Sequence, residues 1–315
     1  MATRTIVFVA VLALGVAAPF LGLYPVLLMK LLCFALFACA FNLLIGFVGL
    51  LSFGHAMFFG SAAYAAGHAM KVWGFTPEIG ILFGVAVAAA LGLVAGVLAI
   101  RRQGIYFAMI TMALAQMVYF VALQAPFTGG EDGLQGIHRG ALFGLLPLEN
   151  DLTLYYVILA VVVAAWLFIA RIVHSPFGQI LKAIRENEPR TISLGYDTDR
   201  FKLLAFVLSA ALAGLAGALK ALVLGFATLS DVYWGTSGSV ILMTLVGGIG
   251  TLTGPVVGAF VITGLENVLA DRVGSWVTVV LGVIFVLSVL LFRQGLVGTF
   301  DRFLPGAWRR GRVAA

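Results

Sequence analysis

The polar side chains that stand out within the apolar stretches of this 315-residue chain are Asn42, Ser52, His55, Gln116, Glu266 and Asn267. An ionisable group inside a membrane span is costly enough to be a functional candidate by default. His55, beside Gly54, is the candidate of the first half, and two readings stay open for it. It is either a buried, hydrogen-bonded histidine or a gate or solute contact. Asn42, Ser52, His55 and Gln116 together are the candidates for a polar translocation path. Glu266 reads as an interfacial carboxylate at a span end, and Lys30, five residues into its span, can snorkel outward. No run of carboxylates or arginines marks a proton relay or a voltage sensor. No catalytic residue is expected, because a P-loop (G-x-x-x-x-G-K-S/T), H-E-x-x-H, a nucleophile elbow and paired catalytic carboxylates are all missing. Cys33 and Cys39 lie six residues apart in one apolar stretch without a Cys/His cluster, so no metal site, disulfide or redox role is expected.

A second group of chemistry-bearing residues sits in "HSPFGQILKAIRENEPR" (174–190). Ser175 can cap a helix that opens on Pro176. Phe177, Ile180, Leu181 and Ile184 form one stripe, with Lys182, Arg185, Glu186 and Glu188 largely off it. Pro189 is expected to end this helix, since a residue before proline avoids the helical region. A second helix is expected from about Arg190, leading through Gly195 to a polar turn at 197–200. Such an amphipathic helix either lies in the lipid headgroup layer or docks a partner in water.

The elements that position these residues are membrane spans. The chain is 62% hydrophobic and 10% charged, with mean hydropathy +1.12, against roughly 45–50% and 25% in soluble domains. A helix needs about 20 apolar residues to cross ~30 Å of hydrocarbon. The expected spans are 6–23, 25–46, 49–70, 77–100, 104–125, 152–171 and 202–225, then segments near 236–248, 256–270 and 275–292. That makes about ten crossings in an all-α integral membrane protein, with the first of the last three read as either a full or a half crossing. The net charge of +6 is spread over span ends, which argues against a nucleic-acid partner. Arg101 and Arg102, the loop 172–201 with Lys182, Arg185, Arg190 and Arg200, and the basic tail 293–315 fall on the cytoplasmic side. The loop 126–151, with Arg139 against four acids, falls on the other side. Both termini are then cytoplasmic, and the N-terminal run is expected to be a retained span.

Two glycine-rich stretches, "GFVGLLSFGHAMFFGSAAYAAG" (46–67) and "GGIGTLTGPVVGAFVITG" (247–264), interrupt otherwise good spans. Backbone left unpaired cannot face lipid. Either small residues there let helices approach closely, or the breaks line a solute route.

Three stretches carry a resemblance: "SPFGQILKAIRENEPRTISLGYDTDRFKLLAFVLSAALAGLAGAL" (175–219), "NLLIGFVGLLSFGHAMFFGSAAYAAG" (42–67) and "LVGGIGTLTGPVVGAF" (245–260). They resemble, in order, three segments of ABC-importer permeases of the branched-chain amino acid type, the larger of the two homologous subunits above all. The resemblance implies a single permease domain over 1–315, in the bacterial inner membrane, with no enzymatic activity and no cofactor of its own. It implies a homologous permease as heterodimer partner, two cytoplasmic ATPases that use ATP and Mg, and a periplasmic solute-binding protein. It also implies that 177–188 is a coupling helix seated on an ATPase. Phe177 and Ile184 would be apolar anchors, Arg185 and Glu186 polar contacts, and Gly178 and Gly195 would permit close approach or a turn. The expected solute is a branched-chain or related amino acid, with urea or another small polar solute as the alternative and an ATP-independent carrier as a third reading. No buried Lys or Arg is expected at mid-membrane to hold a carboxylate.

Overall fold

The computed structural model describes residues 15–21, 24–144, 146–277, 279–280, 282–284, 286 and 295–298. Half or more of each expected span at 6–23 and 275–292, and most of the basic tail, lie outside these described residues. Helices account for nearly all of the rest: α1 (Pro25–Phe47), α2 (His55–Lys71), α3 (Pro77–Ala99), α4 (Ile105–Gln124), α5 (Asp151–His174), α6 (Pro176–Glu186), α7 (Glu188–Ser193), α8 (Thr198–Leu224), α9 (Leu229–Val232), α10 (Trp234–Gly247) and α11 (Gly254–Val273). The all-α membrane fold follows: α1, α3, α4, α5 and α8 are each long and apolar enough to cross a bilayer. Their starts are written locally. Proline stands in the first turn of α1, α3, α6 and α11, where its missing N–H breaks no bond. Asn150 caps α5 through the Leu152 N–H at 3.0 Å.

The expected span over 49–70 is different. Residues 48–54 are irregular and helix begins only at His55, because Gly49 takes a left-handed φ of +85° that a helix does not contain. The segment near 236–248 is the 14-residue α10, about 21 Å of helix and too short to cross alone.

Hydropathy does not reveal which helix is central. α8 has the lowest mean hydropathy of α1, α3, α5 and α8, at 2.0, yet α1 and α8 are mostly buried while α3, α4 and α5 are mostly exposed. Side-chain size explains the difference. α3 buries Gly80, Gly84, Ala88, Gly92 and Gly96 at four-residue spacing, and this small-residue stripe meets Ala210, Gly214 and Ala218 of α8. Helices without side chains between them gain close van der Waals contact, the main attraction available inside lipid.

The turns sort to two ends. At one, Gln103 Nε2 donates to Glu188 Oε2 at 3.0 Å and Arg185 donates to the Gly46 carbonyl, so 46–50, 101–104 and 176–200 gather there. The break 248–253 joins them, as Gly250 N donates to Asn42 Oδ1 at 2.9 Å. At the opposite end, β1 (Leu134–Gln135) pairs antiparallel with β4 (Phe226–Ala227), and β2 (Ala141–Leu142) with β3 (Leu146–Pro147). Arg139 pins this loop, bonding Asp151 at 2.6 Å and the Val223 carbonyl at 2.8 Å.

Candidate functional site

Of the polar side chains picked out above, Asn42, Ser52 and His55 are held by hydrogen bonds to different neighbours, and the six do not assemble into one site. His55 is fully buried at the start of α2, and its Nε2 lies 2.8 Å from Ser209 Oγ of α8. Ser209 spends its only proton on the Ala40 carbonyl at 2.5 Å, so His55 Nε2 must carry the proton and donate. Nδ1 is then the bare nitrogen and has no partner among the described residues. The rings of Phe41, Phe58 and Phe206 meet the imidazole edge-on at 5.0 to 6.1 Å. This is a neutral histidine tying α1, α2 and α8 together. Asn42 bridges the break, Nδ2 donating to Thr251 O at 2.8 Å while Oδ1 accepts from Gly250 N. Ser52 Oγ accepts from Gly54 N at 3.2 Å, closing a local turn just before α2. Gln116 on α4 is half-buried, and its amide oxygen has no partner among the described residues. Glu266 and Asn267 lie on α11, half-buried and exposed respectively.

The basic end is where side chains converge. Ser175 Oγ accepts from Gly178 N at 3.3 Å and so caps α6. Gly178 is the close approach: a Cβ there would strike the Ile172 and Val173 carbonyls at the end of α5. Gly195 is the turn, with φ +88° and open space around it. Pro189 does not end α6. The break falls at Asn187, which takes an extended backbone and caps α7 through Arg190 N at 3.1 Å. Pro189 sits in the first turn of α7, where proline is tolerated. The second helix therefore starts at Glu188, not near Arg190.

Within α6, Leu181 and Ile184 are buried against the bundle, Ile184 being 4% exposed. Ile184 holds the helix down and offers nothing to a partner. Arg185 also turns inward in part: it donates to the Gly46 carbonyl, and its stem lies against Gly49. Phe177 is half-buried and stacks on Phe201 with centroids 5.7 Å apart, while Glu186 is exposed. The free apolar side chains lie on α7 and the turn after it: Ile192 at 54%, Leu194 at 69% and Tyr196 at 43% exposed. Sequence periodicity passes over them because α7 is too short to show a stripe.

Two buried lysines, one near each end of α8, also escape a reading for isolated polar residues. Lys202 bonds Glu188 Oε1, which also accepts from Thr198 Oγ1 at 3.2 Å. With Gln103 on Oε2, Glu188 joins α7, α8 and the 101–104 turn. A cleft of about 370 Å³ opens beside it, walled by residues 48–50, 103–104 and 184–189. Near the opposite end Lys220 reaches both Asp231 oxygens, at 2.7 and 2.6 Å, and Thr228 holds that carboxylate through its N–H at 3.1 Å. The lone Lys in "AGALKALVLG" is the signal in the sequence. Among the described residues no group of His, Cys, Asp and Glu is arranged to hold a metal ion.

Comparison with known proteins supplies what this geometry lacks. Residues 24–289 match the family described as branched-chain amino acid transport system / permease component. The chain is 28% identical to the high-affinity branched-chain amino acid transport system permease protein LivM of Escherichia coli K12, over 91% of this chain and 73% of that protein. LivM of Salmonella typhimurium is similar to the same extent. The autoinducer 2 import system permease protein LsrC of Klebsiella pneumoniae is 28% identical over 70% of this chain and 67% of its own length. No solved structure matches.

Proposed function

The chain belongs to the branched-chain amino acid transport permease family, and from that premise we propose that it is the membrane-spanning subunit of a binding-protein-dependent importer for branched-chain or related amino acids. It makes the path and leaves ATP hydrolysis to two cytoplasmic ATPases. A homologous permease completes the membrane part, and a periplasmic protein delivers and selects the solute. The side carrying 176–200 faces the cytoplasm, as the positive-inside rule requires for its Lys and Arg residues. The observation that carries the reading is the platform built by α6 and α7. Its inner face is held to the bundle by the buried Leu181 and Ile184 and by the Arg185 bond to Gly46, and Ile192, Leu194, Tyr196 and Glu186 are exposed. An apolar cluster rimmed by charge, at a basic membrane end, is suited to seat a soluble protein. ATP-driven movement of that protein then biases a two-state arrangement of the spans.

The likeness to LsrC favours a second reading, in which the same machine carries another small polar solute. Co-expression with the partner permease and ATPases, followed by leucine uptake into proteoliposomes, tests the function. Uptake that needs both ATP and the binding protein is expected. Uptake driven by an ion gradient without ATPases overturns the reading.

A further inference from the structure

The two glycine breaks that interrupt the spans meet at one place, and the amphipathic helix reaches that place. Asn42 of α1 holds the 248–253 break by two bonds, to Thr251 O at 2.8 Å and from Gly250 N at 2.9 Å. One turn on, the Gly46 carbonyl accepts from Arg185 of α6. Gly250 lies close under the same guanidinium, where an added Cβ would sit 3.1 Å from Arg185 Nη1 and 3.2 Å from Gly46 O. Gly49 leaves the space for the Arg185 stem, 3.1 Å from where its own Cβ would be. A third hold comes from α5, the helix that runs directly into α6: Trp166 Nε1 donates to Leu252 O at 3.0 Å. The break is thus bonded from α1 and α5 and packed under α6, although nearly 70 residues separate it from Arg185 in the chain.

The breaks are also the points where the backbone can bend. Gly248 and Gly250 take φ of +124° and +76°, and Gly49 of +85°. An interrupted helix joined by such glycines has a hinge at the interruption, because few residues absorb large φ/ψ changes so cheaply.

We propose that Arg185 and Asn42 form a latch that clamps α6 to both hinge segments, 48–54 and 248–253, so that displacement of α6 moves α2 and α11 together. The inference rests on the transport reading above. Arg185 is then a positioning residue facing the membrane domain, acting through Gly46 and Gly250 and not through the ATPase surface. The latch gives the three glycines a shared role: Gly46 and Gly250 bring two backbones under one guanidinium, and Gly49 makes room for its stem.

Two measurements test it. In the purified chain, spin labels on the exposed positions Ala183→Cys and Thr253→Cys report the separation of α6 and the second break, and the native Cys33 and Cys39 are buried away from label. A narrow distance distribution is expected, broadened by Arg185→Ala or Asn42→Ala. In the complex with its ATPases the distribution should stay narrow when ATP is added. A distribution unchanged by both variants, or one that shifts with ATP in the parent protein, overturns the latch without touching the transport assignment.

In proteoliposomes, the amount of leucine moved per ATP hydrolysed should fall about two- to thirty-fold in each variant, the range expected for loss of one element of a coupled network. A misfolded fraction would lower both rates in proportion and leave that ratio alone. The leucine concentration for half-maximal uptake should hold steady. A shift in it with Asn42→Ala would assign Asn42 to the path and overturn its place in the latch. Failure of the parent protein to take up leucine would count against the transport reading, and the label distances would still decide the latch.

Discussion

Glu188→Gln removes the charge that faces Lys202 while keeping the side chain's shape. The Lys202 side chain is only 2% exposed, whereas that of Glu188 is 18% exposed and keeps Gln103 and Thr198 as further partners. The two halves of the pair are therefore unequal. Without the carboxylate, an ammonium group remains in the interior with no opposite charge, which costs about 3–5 kcal/mol when one partner of a buried pair is lost. Lys202→Met leaves a more exposed carboxylate that still has two hydrogen-bond donors, so it should cost about 1.5–3 kcal/mol, the loss of one charge-assisted bond. In the double variant an amide faces an apolar chain of similar volume, and no buried charge is left. Its cost should be smaller than that of Glu188→Gln alone. Thermal unfolding of the four proteins in detergent, followed by loss of monodisperse protein, gives the order. Parent should be most stable, then Lys202→Met, then the double variant, with Glu188→Gln lowest by several degrees. If Glu188→Gln proves as stable as the parent, or the two single effects simply add, the pair does not anchor α7 to α8. The structural basis of the platform would then be wrong.

Other outcomes follow from the same geometry. Leu194→Asp should abolish co-purification with the ATPases and leave the melting temperature of the isolated chain unchanged, since Leu194 supports nothing within it; unchanged co-purification would move the docking surface elsewhere. Gly217→Val should prevent accumulation of folded protein, because any Cβ there collides with the Phe59 backbone, while Gly264→Ala, with nothing within 4 Å, should be tolerated; western blots of membrane fractions compare them. His55→Phe should keep leucine uptake and cost about 1 kcal/mol of stability, the value of one hydrogen bond, since Ser209 retains its bond to Ala40. Loss of uptake in a folded His55→Phe protein would place His55 on the solute path.

Much of this protein is legible in its linear order because lipid imposes long-range rules on local composition. Runs of about 20 apolar residues and the arrangement of Lys and Arg mark α1, α3, α4, α5 and α8 as spans. Ser175 and Pro176 announce the start of α6, since capping depends on residues three apart at most. Glycine content marked 46–67 and 247–264 as interrupted stretches, and the left-handed φ of Gly49, Gly248 and Gly250 places the breaks themselves at 48–54 and 248–253. Proline was less informative. Its position showed that helix would be interrupted near 189, but Asn187 decided where, by capping the following helix.

What lies across the fold was not legible. Hydropathy ranks α3 above α8, yet α8 is central because the small residues of both helices interlock, a property of two faces brought together. Asn42 and His55 looked alike as polar residues among apolar ones. The neighbours that distinguish them, Gly250 and Thr251 for one and Ser209 for the other, are more than 150 residues away. Ile184, in the apolar stripe, and Arg185, off it, were both expected from the resemblance to meet an ATPase, but Ile184 is buried in the bundle and Arg185 bonds the Gly46 carbonyl, while α7 and the turn after it carry the exposed apolar side chains. Composition and spacing determine that a segment must sit in lipid, start, bend or stop, since those depend on solvent and near neighbours. Which face turns inward, and which charges find each other, is decided only when distant segments compete for the same interior space.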